Sequence, residues 1–110
     1  MTMHDWILSR TPAPPPPLAA RIVQSLGSSA ALDSTLADRI CLDAAVLLLE
    51  RLLAREPLGR DDADDLLAVD ALVTYAFEAA ATRDEQLEQR ASEAMLRLAA
   101  LAGSGAPRIA

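Results

Sequence analysis

The sequence predicts an all-α protein, and two features of its composition lead to that prediction. Apolar residues make up 52% of the 110 residues, whereas aromatic residues make up only 3%. Alanine and leucine, which favour helices, therefore supply most of the apolar surface, while the residues that favour strands are scarce. A chain of this length is one domain's worth. We expect a small helical bundle with three main helices, a short helix before them and an extended proline-rich N-terminal arm.

The arm is predicted over residues 1–17, "MTMHDWILSRTPAPPPP", in which five of the last six residues are proline. Proline fixes φ and removes a backbone donor, so this part is expected to form polyproline II. The preceding "DWIL" contains the only tryptophan of the chain. We predict that Trp6, Ile7 and Leu8 form a docking element, either on the helical domain of the same chain (residues 18–103) or on a partner.

The short helix is predicted over residues 18–26. Pro17 suits the first position of a helix, and Gly27 is the residue type preferred just past a helix end.

The next helix is predicted over about 36–55, with Asp33, Ser34 or Thr35 as its cap and an end before Pro57. Helical periodicity divides it into two faces. The inward face is expected to contain Ile40, Cys41, Ala44, Leu48 and Leu52. The exposed face is expected to contain Arg39, Asp43, Glu50, Arg51 and Arg55.

Two further helices are predicted in the second half of the chain, over about 62–81 and 82–103. Thr82 and Glu85 have the spacing of a capping box, in which each side chain satisfies a free backbone amide at a helix start. An apolar seam follows at spacings of four and three residues. It contains Leu87, Ala91, Ala94, Leu98 and Leu101. Residues 104–110 are expected to be a flexible tail.

The cluster "DDADD", residues 61–65, has two interpretations. Asp61, Asp62 and Asp65 fit a DDxxD pattern, and in this respect the stretch resembles the polyprenyl synthases, in which such aspartates hold magnesium and a diphosphate. That resemblance implies a subunit related to prenyl transfer, although the arginine pair and the second aspartate-rich motif of the family are missing here. A structural role explains the same residues without a ligand. In that role Asp61 caps the helix, and Asp62, Asp64 and Asp65 stabilise the positive end of its dipole. We predict capping and no metal site.

The helix over 62–81 carries one narrow polar stripe, because Asp70, Thr74 and Glu78 are four residues apart. The stripe is either the solvent-facing edge of an otherwise apolar helix or part of a small pocket with buried carboxylates. An unpaired buried carboxylate is very costly, so the pocket would require arginine partners or a ligand.

Charge and motifs argue against several classes of function. The net charge is −6, and all of the excess lies in residues 61–110. An acidic surface repels phosphates, so neither nucleic acid nor a membrane is expected as a partner. Cys41 is expected to be a small buried apolar residue. With one histidine and no glycine-rich phosphate loop, we predict no catalytic residues, no cofactor and no metal. The N-terminus lacks the pattern of a secretory signal, so a cytoplasmic protein is expected.

Three hypotheses about function remain. The helices over 36–55 and 62–81 are too apolar for a small monomer, which predicts a non-catalytic interaction or assembly protein, most simply a homodimer, or else a protein with a different partner. An alternative is a bundle that binds a small apolar ligand. A subunit related to prenyl transfer is the third.

Overall fold

The computed structural model describes residues 1–55, 57–60 and 62–104, and within them the all-α prediction is confirmed. Four α-helices follow one another along the chain: α1 (Met3–Leu8), α2 (Pro16–Leu26), α3 (Ala37–Leu53) and α4 (Asp62–Ser104). No β-strand occurs in the described part. The chain divides into two compact units, Met1–Ala80 and Ala81–Ala110, so α4 belongs partly to each.

The prediction of one extended arm over residues 1–17 is wrong for its first half, because Met3–Leu8 forms a helix. Thr2 caps this helix, and its hydroxyl accepts a hydrogen bond from the Asp5 amide at 3.2 Å. The N-terminal residues also pair with the segment between α2 and α3: Met3 N donates to Leu32 O at 2.8 Å, and Ser34 N donates to Met1 O at 2.9 Å. The cap and these two long-range bonds hold residues 1–8 against the rest of the chain, so this half of the predicted arm is not extended.

Helix α2 has the ends that its sequence predicts. It begins at Pro16 with prolines in its first turn, and Gly27 follows its last residue with φ 57°. A residue with a side chain rarely adopts that backbone conformation, so glycine is suited to this position. Two short 3-10 segments, Gly27–Ala31 and Ser34–Leu36, lie between α2 and α3.

Helix α3 follows the predicted pattern of faces. The Asp33 carboxylate accepts from the Thr35 amide at 2.9 Å and so caps the 3-10 turn that leads into α3. Cys41, Leu48 and Leu52 are buried, while Ile40 and Ala44 are half-buried. The five charged residues predicted on the other face are all exposed.

Helix α4 is longer than predicted, because the expected break at Thr82 does not occur. The helix continues through Thr82 and Glu85 to Ser104, so these residues lie in its interior and form no capping box at a helix start. Alanines precede this point and good helix formers follow it, and their propensity favours continuation. Whether residues 82–103 pack into a common bundle stays a prediction. Residues 105–110, most of the predicted tail, lie outside the described part.

The core of the first unit is formed by side chains from every helix in it. Met3 and Ile7 of α1 and Ile22 of α2 have no exposed surface, and neither do Cys41 of α3 and Leu72 of α4. Alanines fill many of the remaining core positions. These are Ala37, Ala45, Ala68 and Ala76.

Candidate functional site

A cluster of two aspartates and two arginines joins the start of α4 to α2 and to the end of α3. Asp62 is the first residue of α4 and is 7% exposed. Its Oδ2 accepts from the Gly59 amide at 2.7 Å, and its Oδ1 accepts from Arg55 Nη1 at 2.7 Å. These bonds to the Gly59 amide and the Arg55 guanidinium hold the pKa of the Asp62 carboxyl below its usual value. The loop before α4 is thereby fastened to the residues after α3.

Asp65, one turn further along α4, connects two arginines. It is 5% exposed, its Oδ1 lies 3.1 Å from Arg21 Nε, and its Oδ2 lies 3.4 Å from Arg55 Nη1. Arg21 comes from α2 and Arg55 follows α3, so one carboxylate bridges two other parts of the fold. A buried charge is tolerated only when it is paired and hydrogen-bonded, and Asp65 meets that condition.

A cavity of about 200 Å³ lies beside this cluster, between α2 and α3. Three arginines line it: Arg21, Arg51 and Arg55. The remaining polar lining is Gln24, Ser25 and Asp65, and the apolar wall is formed by Ala44, Leu47 and Leu48 of α3. The lining therefore combines cationic and apolar side chains.

The predicted positions of these aspartates are confirmed, but their partners were not predicted. Asp62, Asp64 and Asp65 lie in the first turn of α4, as predicted, whereas Asp61, the predicted cap, lies outside the described residues. Burial of Asp62 and Asp65 in ion pairs was not predicted. The burial of Asp65 could be inferred from its spacing, because Asp65 lies three residues before Ala68 and seven before Leu72, on the core face of α4.

The positions of Asp62 and Asp65 bear on the resemblance to the polyprenyl synthases. A diphosphate site would offer the carboxylates of Asp62 and Asp65 to magnesium, but here both are bonded to arginines. Within residues 1–55, 57–60 and 62–104, no group of three or more histidine, cysteine, aspartate or glutamate side chains is arranged to hold a metal ion.

The predicted polar stripe lies on the outside of the first unit. Asp70, Thr74 and Glu78 are all exposed, and the Thr74 hydroxyl donates to the Asp70 carbonyl at 2.9 Å. The structure therefore gives this stripe the solvent-facing position that was one of the two alternatives.

The three residues of the predicted docking element have different surroundings. Ile7 is fully buried in the core, whereas Leu8 is 48% exposed. The half-buried Trp6 ring meets Tyr75 of α4 edge to face, with the ring centres 6.1 Å apart, and Arg10 Cζ lies 3.8 Å from the centre of the Trp6 ring.

Cys41 has the predicted character of a buried apolar residue. It is a free thiol with no exposed surface, and burial raises its pKa to about 12. A thiol reacts through its thiolate, so this environment suppresses nucleophilic chemistry.

Comparison with known proteins adds no relative, since no protein-family model, no curated protein and no solved structure matches the chain. None of the helices in the described part combines the length and the apolarity that a membrane span requires.

Proposed function

We propose that the protein is a non-catalytic assembly protein that forms a homodimer through an apolar stripe on α3. The stripe consists of Leu42, Val46, Leu49 and Leu53, which are four, three and four residues apart and so lie on one face of the helix. Their exposed fractions are 46%, 49%, 38% and 68%. Contiguous exposed apolar surface of this kind is typical of protein interfaces. This stripe is the observation on which the proposal depends.

The stripe is separate from the face of α3 that forms the core. At about 100° per residue, its centre lies roughly 100° around the helix from the buried residues Ala45, Leu48 and Leu52. The core therefore accounts for one leucine-rich face of α3 and leaves the other in contact with solvent. Such a surplus of apolar surface is what the sequence predicts for the helix over 36–55.

The charges beside the stripe favour a second copy of the chain as the partner. Arg39 and Glu50 are exposed and eleven residues apart, about three turns, so they lie on the same flank of the stripe. In an antiparallel pair of α3 helices, each Arg39 faces Glu50 of the other copy, whereas in a parallel twofold pair the two charged flanks lie on opposite sides of the interface and do not meet. The same antiparallel register places Leu42 of each copy close to Val46 of the other. Such a self-complementary surface is what a twofold dimer requires.

Sedimentation equilibrium of Val46→Asp and Leu47→Asp tests the stripe. The two residues are adjacent in α3 and similarly exposed, at 49% and 46%, but Leu47 lies outside the stripe. Each dimer would contain two Val46 side chains that are already half-buried, so their loss costs about 2 kcal/mol and weakens the dimer roughly 30-fold. We expect the wild type and Leu47→Asp to sediment at twice 11.7 kDa at micromolar concentration, and Val46→Asp to sediment as a monomer. A wild type that remains at 11.7 kDa across the concentration range contradicts the proposal.

A charge exchange tests the antiparallel second copy. Arg39→Glu and Glu50→Arg should each weaken the dimer, because each places like charges opposite one another twice per dimer. The double variant restores both pairs in reversed order and should recover the wild-type dissociation constant. Additive losses in the double variant would exclude this register.

A further inference from the structure

The cavity between α2 and α3 has a charge that contrasts with the rest of the chain. Its lining contains three arginines and one acidic residue, Asp65, whereas the whole protein carries a net charge of −6. Asp62 pairs with Arg55 from outside the lining. Counting both aspartates, the cluster still has one more positive than negative charge.

The guanidinium groups retain unused donors. A guanidinium carries five N–H donors, and the ion pairs to the two aspartates involve Nε of Arg21 and Nη1 of Arg55. Arg51 is exposed and has no ion pair within the described ranges of the chain. Its planar fork matches a carboxylate, which can accept two parallel hydrogen bonds from it.

Size and lining restrict the ligand. About 200 Å³ corresponds to roughly seven water volumes, which is too small for a nucleotide and sufficient for a molecule of roughly six to ten heavy atoms. The apolar part of the lining is formed by Ala44, Leu47 and Leu48 and offers no charge. The site thus fits an anionic head joined to a short carbon chain.

We infer that this cavity binds a small organic carboxylate, with Arg51 and the free donors of Arg21 and Arg55 holding the carboxylate and the α3 wall contacting the carbon chain. The inference is independent of the proposed dimer, because the residues of α3 that line the cavity lie about 180° around the helix from the centre of the stripe. A ligand in the cavity and a second copy on the stripe can therefore be present together.

Titrations of the full chain with butyrate, hexanoate, butyramide and inorganic phosphate, followed by amide chemical shifts, test this inference. We expect saturable binding of butyrate and tighter binding of hexanoate, with shifts concentrated at the lining residues. Butyramide, which lacks the charge, should not bind, and phosphate should bind more weakly than either carboxylate. Wild-type protein that shows no saturable shift, or that binds phosphate more tightly than hexanoate, would overturn the assignment.

Two matched variants separate the cavity from general charge effects. Arg51→Gln and Arg39→Gln each remove one exposed positive charge from α3, but only Arg51 lines the cavity. Arg51→Gln should raise the dissociation constant of hexanoate at least tenfold and leave the dimer intact. Arg39→Gln should weaken the dimer and change hexanoate binding less than twofold. Equal effects of the two variants on hexanoate would refute a specific site.

A second variant in the cavity keeps the inference testable if Arg51→Gln does not fold. Leu47→Asp places a negative charge on the apolar wall and removes no ion pair, so it should also abolish hexanoate binding while far-UV circular dichroism stays unchanged. Binding that survives in a folded Leu47→Asp protein would contradict the inference.

Discussion

Trp6 packs α1 against α4, and replacing Trp6 with alanine should lower the stability of the protein substantially. The indole meets Tyr75 edge to face at 6.1 Å and lies under the Arg10 guanidinium, whose Nε also donates to the Trp6 carbonyl at 3.2 Å. An aromatic pair contributes about 0.5–1.5 kcal/mol and an exposed cation–π contact about 0.5–1 kcal/mol. Burial of half the indole adds about 1 kcal/mol. Trp6→Ala should therefore lower the free energy of unfolding by about 2–3 kcal/mol.

Urea unfolding followed by far-UV circular dichroism measures this loss, with Leu8→Ala as the control. Leu8 is on the same short helix and 48% exposed, so its truncation should cost well under half as much. The variants Trp6→Ala, Tyr75→Leu and their combination form a double-mutant cycle, in which we expect a coupling of about 0.5–1.5 kcal/mol for the ring pair.

Fluorescence gives an independent check, because Trp6 is the only indole of the chain. Its emission in the native protein should lie to the blue of free tryptophan, and a soluble quencher should reach it less readily. Emission and quencher access equal to those of free tryptophan, together with an unchanged unfolding free energy in Trp6→Ala, would refute this reasoning.

Four other predictions concern single groups. The folded protein holds the pKa of Asp62 below its usual value of 3.8. The contribution of Asp62 to stability is therefore complete above pH 3.8 and is lost as the pH falls through the lower pKa of the folded state. Asp62→Asn should remove this part of the acid dependence in urea titrations, and Asp43→Asn is the control for the loss of one charge. Cys41, whose pKa is raised to about 12, should resist a thiol reagent at neutral pH in the native state and react at once in denaturant. Thr82→Ala should not cost the 0.5–2 kcal/mol typical of a lost helix cap, since Thr82 lies within α4; a loss of that size would restore the capping box. Calorimetric titration with magnesium should reveal no micromolar site, because Asp62 and Asp65 are already bonded to arginines, and a micromolar constant would favour the DDxxD interpretation.

The helix ends show which features of the fold can be predicted from local sequence signals. Gly27 was identified correctly as the end of α2, because it occupies a backbone conformation that few other residues adopt. The same kind of reasoning failed at Thr82, where a capping pattern lies within a long run of helix formers. It also missed α1, although Thr2 and Asp5 have the spacing of a capped first turn. A cap motif marks a possible start, and the residues around it decide whether the helix begins there.

The aspartate cluster shows what could not be predicted locally. First-turn positions for Asp62, Asp64 and Asp65 follow from the residues before and after them. The ion pairs of Asp65 with Arg21 and Arg55 involve residues 44 and 10 positions away, and they exist only because α2 and α3 pack beside α4. Only the burial of Asp65 could be inferred, from its spacing to Ala68 and Leu72.

The alanines of the core determine which changes the protein can tolerate. At Ala37, Ala45, Ala68 and Ala76 the side chain is already the smallest that carries a Cβ, and each is almost fully buried. A larger residue at these positions overpacks the interior, typically at a cost of about 1–3 kcal/mol, so the core cannot gain stability by growing. Divergence and engineering are therefore directed to the surface, where the stripe on α3 and Arg51 of the cavity can change without disturbing the interior.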